Sequence, residues 1–337
     1  MMRNLIYPII LVVISCSPPQ QKTTNSVQTI AFGSCSVQGK IDAQLWNEVI
    51  AENPALWIWL GDNIYADTED MEKMKADYDL QKSHPDYQTL LGKMDVIGVW
   101  DDHDFGNNDL GSEYPKKDES RDLLFDFLDV PEDSEAWNRK GAYQSYTYTF
   151  DEKKLKVILL DVRYFRDSLK WTFDPKTALI NEDGAVLGEE QWSWLADELS
   201  DDEIDLFLVG SGIQVLPQDH RFEKWANFPK ERKKLLNLVA EKVKVPLAFL
   251  SGDRHISEVS KLEIEGYGFP IYDITSSSLT NPWAEEATEA NKLRVGSITY
   301  PVNFAVVDID WSGDQPSMQL KFVGQNSKIL QKIAINY

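Results

Sequence analysis

The sequence predicts an α/β fold in which sheets pack together and are flanked by helices. Strand-like and helix-like segments alternate from about residue 28. Several strand candidates are unbroken apolar runs, as expected of strands buried on both faces. The last eighty or so residues turn β-rich. In order, "VQTIAFGS" (27–34) reads as a strand, "IDAQLWNEVIAEN" (41–53) as an amphipathic helix and "ALWIWLGD" (55–62) as a buried strand. "DVIGVWDD" (95–102) is a further strand, followed by a loop rich in Asp, Asn and Gly. "DESRDLLFDFL" (118–128) and "LGEEQWSWLADEL" (187–199) carry helical periodicity, the second with a Gly-then-Glu start. "YQSYTYTF" (143–150) alternates and pairs with "KLKVILLD" (154–161) as a hairpin. "IDLFLVGS" (204–211) and "PLAFLSGD" (246–253) are two more buried strands. "EVSKLEI", "FPIYDITSS", "NFAVVDID" and "MQLKFVG" end the chain as mostly antiparallel β.

The chain has 337 residues, 42% of them hydrophobic, which is enough for one sizeable core. Its net charge is -21. Such a surface repels nucleic acid and anionic lipid, so non-specific binding to either is excluded as a function. The N-terminus reads as an export signal: Arg3 precedes an apolar run, Leu5 to Ile14, too short to span a bilayer. "VISC" (13–16) has the form of a bacterial lipoprotein cleavage box, which makes Cys16 the lipid-bearing first residue of the mature chain. The expected organisation is a signal segment at 1–16, a polar tether at 17–27 and one catalytic domain at 28–337, anchored to the cell envelope.

With Cys16 acylated, Cys35 has no disulfide partner, because the chain holds only two cysteines. A lone exported thiol is a buried core residue, a nucleophile or a metal ligand. Its context favours attention to metals. Buried strands end, one after another, in polar residues: Cys35, Asp62, Asp101 and Asp102, Asp161, Gln214, Asp253 and His255. Ligands of open α/β sheets bind beyond the carboxyl ends of strands. Cys35, Asp62, Asp102, Asp253 and His255, with Tyr65 in "GDNIYAD", form a donor set of thiolate, carboxylates, imidazole and phenolate. Four histidines in all rule out an all-imidazole site. Thiolate, phenolate and imidazole suit ferric iron, whereas Asp and amide oxygens suit a hard ion such as calcium, magnesium or manganese. A carboxylate such as Asp62 can bridge the two.

"FGSCS", "WLGDNIYAD", "WDDHDFGNND", "LLDVRYFR", "LGEEQWSWL", "GSGIQ", "FPKERKKLL" and "SGDRH" follow one another in this order. Together they resemble the PhoD-like alkaline phosphatases, within the calcineurin-like metallophosphoesterases. The resemblance implies a four-layer αββα sandwich with Fe3+ and Ca2+ at the strand ends. It puts Cys35, Tyr65 and His255 on iron, Asp62 between the ions, and Asp102 and Asp253 on the second ion. It makes His103 the residue that stabilises the phosphoryl group or protonates the leaving oxygen, and Arg163 a phosphate grip. Gln214 takes the place of an isolated His ligand, and Asn107 or Asn108 is a contact to the second ion or to phosphate. Arg254 is expected to point away from the site, Trp283 to be buried, and His84 and His220 to lie on the surface.

The implied activity is a phosphomonoesterase in which hydroxide formed on the ions attacks phosphorus. A phosphodiesterase or phospholipase of the same fold, or a non-catalytic metal-binding lipoprotein, are the alternatives. Lipidation has its own test. Cys16→Ala should move the protein from the membrane fraction to the soluble one, and unchanged fractionation would remove Cys16 as the anchor.

Overall fold

The computed structural model describes residues 27–40, 44–283 and 289–337. The expected leader with Cys16, and the start of the 41–53 segment, lie outside these residues.

Two sheets form the body. The first runs in the order β15 (Lys328–Ile335), β14 (Ser317–Gly324), β13 (Asn303–Asp310), β1 (Val27–Gly33), β2 (Leu56–Leu60) and β3 (Asp95–Val99). The second runs β12 (Arg294–Thr299), β10 (Ser257–Leu262), β11 (Ile271–Ser276), β9 (Leu247–Ser251), β8 (Leu206–Ser211), β5 (Lys153–Leu160) and β4 (Gln144–Phe150). A small hairpin of β6 (Trp171–Phe173) and β7 (Lys176–Ala178) stands apart from both. Within the first sheet β1, β2 and β3 are parallel; within the second, β5, β8, β9 and β11 are parallel.

Side-chain alternation explains the layering. Leu155, Val157 and Leu159 of β5 face the core between the sheets, together with Leu206, Leu208, Ala248 and Leu250. Ile158, Leu160, Phe207, Val209 and Phe249 face the other way, into a core under α6 (Gly188–Glu198) and α7 (Pro229–Lys242). The first sheet carries its own helices: α1 (Trp46–Ala51), α2 (Met71–Lys82), α3 (Pro85–Leu91) and α5 (Lys117–Phe127). One turn, α4 (Asp102–Phe105), follows β3 directly. The result is the four-layer αββα arrangement. The sheets approach closely at Gly210, where a Cβ would sit 3.1 Å from Leu60 Cδ2 of the opposite sheet.

An indole cluster locks the first sheet to its helices. Trp46 of α1 meets Trp57 and Trp59 of β2 edge-on, each with centroids 5.3 Å apart. The Trp59 Nε1–H donates to Tyr87 Oη of α3 at 2.9 Å. Edge-on aromatic pairs add modestly to the apolar area they bury.

The structure departs from the sequence reading in several elements. Helices α2 and α3 were not expected, because "MEKMKADYDLQK" is mostly polar; the Asp70 carboxylate caps α2 by accepting from Glu72 N at 3.0 Å. Strands β6, β7, β12 and β15 are short or rich in polar residues and gave no clear alternation. "FPIYDITSS" pairs antiparallel with β10 but parallel with β9, so the tail is a mixed element. His84 is the N-cap of α3, its Nδ1 accepting from Asp86 N at 3.2 Å. His220 is buried rather than on the surface; burial, then the nearby Arg254, pushes its pKa down.

Removing the central indole by Trp59→Ala should cost about 3–5 kcal/mol, since it leaves a cavity and an unpaired Tyr87 hydroxyl. Urea denaturation measures this, and a loss below about 1 kcal/mol would show that the cluster is not an anchor.

Candidate metal centre

Parallel strands from both sheets deliver their carboxyl ends to one edge. The loops after β1, β2, β3, β8, β9 and β11 meet there. Backbone bonds stitch them: Gly252 N–H donates to Gly212 O at 3.0 Å, and Thr280 N–H to Cys35 O at 3.2 Å. The Gly-Asp pair after β2 is sterically required. Gly61 has φ +92°, and a Cβ there would lie 2.4 Å from Asp101 Cβ. Asp104 then ties the two loops together, its carboxylate accepting from Asp101 N at 2.7 Å, Asn63 N at 3.1 Å and Asp62 N at 3.2 Å.

This packing gathers the donors that the sequence singled out. Cys35 Sγ and Tyr65 Oη each lie 3.3 Å from the same Asp62 Oδ2. Gln38 pins Tyr65, its Oε1 accepting from Tyr65 N at 2.9 Å. Ser277 Oγ accepts from His255 N at 2.8 Å and lies 3.1 Å from Cys35 Sγ. A core cysteine would have apolar neighbours; Cys35 has Asp62, Ser277 and Ser34. Asp62, Asp102 and His103 form one group with ligand atoms within 4.8 Å of one another, and Asp101, Asp102 and Asp253 form another. Asp102 is common to both. Cys35, Asp62, Asp253 and His255 all adopt left-handed backbone, with φ of 60°, 49°, 68° and 55°. Residues with side chains are rarely found there, and such strain collects at functional sites.

The electrostatics call for positive charge. Burial, then Asp102, pushes Asp62 up to about 7. Burial, then Asp101 and Asp102, raises Asp253 well above the usual carboxylate range. Burial and Asp62 raise the Cys35 thiol, and burial, Cys35 and Asp62 raise the Tyr65 phenol. Burial opposes charge on His103, but Asp62, Asp67 and Asp102 outweigh it and push its pKa up to about 11. Asp101 Oδ2 and Asp102 Oδ1 are buried without a hydrogen-bond partner among the described residues. Unpaired anionic oxygens beside a thiol, a phenol and an imidazole are a donor set for bound cations. The residues present therefore fit metal ions.

Other expected site residues lie elsewhere or do something else. Arg163 is fully buried and does not reach the cleft as a phosphate grip. Its Nε donates to Asp101 at 2.7 Å and its Nη1 to Glu223 at 2.7 Å, while Nη2 stands 3.7 Å from Asp102 Oδ1. It sits behind the carboxylates and balances them. Burial works against its charge, yet Asp101 and Glu223 raise its pKa further. Gln214 is buried with its Nε2 donating to Thr275 and Glu258, at 2.7 and 2.9 Å, and its Oε1 has no partner among the described residues. Asp161 is a loop organiser that accepts from Arg163 N, Tyr164 N and Ala142 N. Asn108 borders the cleft and donates to Asp109, and Asp109 N donates to Asp102 Oδ2 at 2.7 Å. Asn107 is half-buried and does not border it.

The donors open into a cleft of about 190 Å³. Asp102, His103, Asp253 and His255 border it, opposite Trp171 and Lys176 of the β6–β7 hairpin. Phe222, Arg254 and Trp283 complete a wall, so Trp283 is a half-buried rim residue and Arg254 does face the site. The sequence reading missed Asp67, whose Oδ1 stands 2.8 Å from His103 Nδ1 and so orients the ring. It also missed Asp104 and Ser277. Asp67 and Asp104 were visible in "GDNIYAD" and "DDHDF", but nothing in a one-dimensional pattern distinguishes a clamp from a ligand.

A two-sheet sandwich with this acidic, strand-end centre defines a metal-dependent phosphoester hydrolase. The chain belongs to the PhoD-like phosphatase family, whose family model matches residues 30–303. Solved structures agree on the fold. A structure of PhoD superposes with TM-score 0.69 at 14% identity, covering 92% of this chain and 72% of that one. A dimetal phosphatase from Danio rerio gives 0.58 at 14% identity, over 92% and 99% of the two chains. GAP50, the anchor in the inner membrane complex of Plasmodium, gives 0.59 at 14% identity, over 92% and 89%. No curated protein sequence matches the chain.

Arg163→Met should destabilise the fold by about 3–5 kcal/mol, because it strands the buried Asp101 and Asp102 without their counter-charge, Glu223 keeping only Arg166. Chemical denaturation of the metal-free protein measures it; a change under about 1 kcal/mol would mean the network is dispensable.

Proposed function

We propose that the protein is an extracytoplasmic phosphomonoesterase of the alkaline-phosphatase type, held at the cell envelope by lipid on Cys16. Its centre takes ferric iron on Cys35, Tyr65 and His255, with Asp62 shared between two ions. Asp102 and Asp253, with Asn108, take calcium or another hard divalent ion. The observation that carries this reading is the convergence of a thiol and a phenol on one buried carboxylate oxygen, Asp62 Oδ2. Thiolate and phenolate donors favour a ferric ion, while all-oxygen surroundings favour a hard divalent one.

Bound cations supply Lewis acidity and a water acidic enough to attack phosphorus at neutral pH. The side chains do the rest. His103, oriented by Asp67, carries a proton that it can give to the leaving oxygen or share with a phosphoryl oxygen. Asp104 and Arg163 keep the donor loops in register without touching substrate. Phosphodiester hydrolysis, phospholipids included, is the second reading. It is favoured by the aromatic rim of Trp171, Phe222 and Trp283, against which a second ester arm can lie.

Assays with p-nitrophenyl phosphate and its bis-ester should show the monoester preferred. A large preference for the bis-ester would establish the second reading instead. Asp62→Asn and Asp102→Asn should each lower kcat/KM by more than about a hundredfold, beyond what supporting groups contribute. Both should also lower bound metal, measured by elemental analysis. A visible charge-transfer band should weaken in Cys35→Ala and Tyr65→Phe; colourless, metal-free and fully active protein would overturn the assignment. Turnover of neither ester would leave a metal-binding surface lipoprotein.

A further inference from the structure

We infer that Arg254 is a substrate-binding residue that takes the phosphoryl oxygen the cations leave free, so that the cleft selects a terminal phosphate over a phosphodiester. This rests on the hydrolase reading above and adds the basis of its substrate preference.

Arg254 lies between Asp253 and His255 in sequence and borders the same cleft. It is 2% exposed, which is unusual for arginine unless its donors are engaged. Its guanidinium is held in place from several sides. The Phe222 ring lies 4.4 Å from it and the Trp283 ring 5.7 Å. Those rings meet edge-on at 4.9 Å, and Trp283 N–H is fixed to His255 O at 3.0 Å. Nη2 donates to Glu289 at 2.5 Å. Nε, by contrast, is buried and has no acceptor among the described residues. A buried guanidinium donor without an acceptor is costly, and its usual explanation is an anionic partner. A planar fork fixed by two rings and a carboxylate also loses little freedom on binding an oxyanion.

Arg163 Nη2 and Arg166 Nε are also buried without a hydrogen-bond acceptor among the described residues, but neither arginine borders the cleft, and Arg163 is committed to Asp101 and Glu223. Lys176 reaches the cleft but pairs with Asp109 at 2.8 Å, and its side chain is 56% exposed. Cations held by this donor set would engage some of the oxygens of a bound phosphate and leave at least one to the protein. A monoester dianion has a third non-bridging oxygen, which Arg254 can take in a charge-assisted bond. In a diester that place belongs to an ester oxygen carrying carbon, a weak acceptor that does not bring the second negative charge. Arg254 therefore binds monoesters more strongly than diesters.

The test uses the metal-loaded wild type with Arg254→Gln and Arg254→Lys. It reads KM and kcat for p-nitrophenyl phosphate and its bis-ester, and inorganic phosphate affinity by inhibition and by calorimetry. Arg254→Gln should weaken phosphate binding and raise the monoester KM about ten- to a hundredfold, and should change the bis-ester much less. Arg254→Lys should recover only part, because an ammonium is not a planar fork. Unchanged phosphate affinity, or equal loss for both esters, would overturn the proposal. Should Arg254→Gln fail to fold, Phe222→Leu keeps the arginine but removes a ring; a several-fold loss of phosphate affinity is then expected, and none would overturn it. A wild type that binds phosphate without hydrolysing either ester would refute the hydrolase reading alone, and calorimetry on the variants would still decide the role of Arg254.

Discussion

Burying several carboxylates where two sheets meet is the constraint around which this molecule is arranged. Asp62, Asp101, Asp102 and Asp104 are all nearly inaccessible to solvent, and Asp253 lies beside them. Like charges in a low-dielectric interior repel strongly, and each one also loses its hydration. The fold answers in distinct ways. Asp104 is satisfied by three backbone amides, Asp161 by amides and the Trp100 indole, and Asp101 on one oxygen only, by Arg163. What remains is a group of oxygens that no donor among the described residues satisfies fully, the kind of surroundings that suit bound cations. The division between structural carboxylates and ligands is thus made by the backbone, residue by residue.

The same constraint accounts for the strained backbone. Cys35, Asp62, Asp253 and His255 would not adopt left-handed φ on their own account, and each instance costs on the order of 1 kcal/mol or more. They hold it because the loops that carry them are fixed from outside, by the Asp104 clamp and the Ser277 hydroxyl. Cation binding then adds a favourable term that only the folded loops can collect, so metal affinity and local stability are one quantity.

How much of this the sequence disclosed depends on which physical signal carries each part. The central parallel strands of the two mixed sheets were legible because strands buried on both faces are unbroken apolar runs, "LWIWL" and "LAFLS" among them. Helices α2 and α3 were not, since they rest on caps and a few inward residues, Met74, Tyr78 and Tyr87, in otherwise polar segments. At the centre, Cys35, Asp62, Tyr65, Asp102 and His255 were nameable from residue type at strand ends. Asp161 and Gln214 sit at strand ends too, yet one organises a loop and the other a hydrogen-bond network. Arg163 and Arg254 were read in opposite senses for the same reason. Charge is visible in a sequence, but whether its partner is a buried carboxylate or an unfilled cleft depends on contacts between distant loops.

A protein with a net charge of -21 must still admit an anionic ester. Long-range steering cannot help, because the average field repels the substrate and is screened within about 8–10 Å in salt. Selection must therefore happen at short range. The structure is built accordingly: ligand carboxylates lie deep, their charge opposed by cations when bound, and the cleft wall above them carries Arg254 and Lys176 among aromatic rings. The Phe222 and Trp283 rings shield Arg254 from water, whereas Lys176 lies over Trp171 with its side chain largely exposed. A fold does not by itself supply such chemistry, which on a sandwich of this kind lives in the side chains gathered at the strand ends and along the cleft wall.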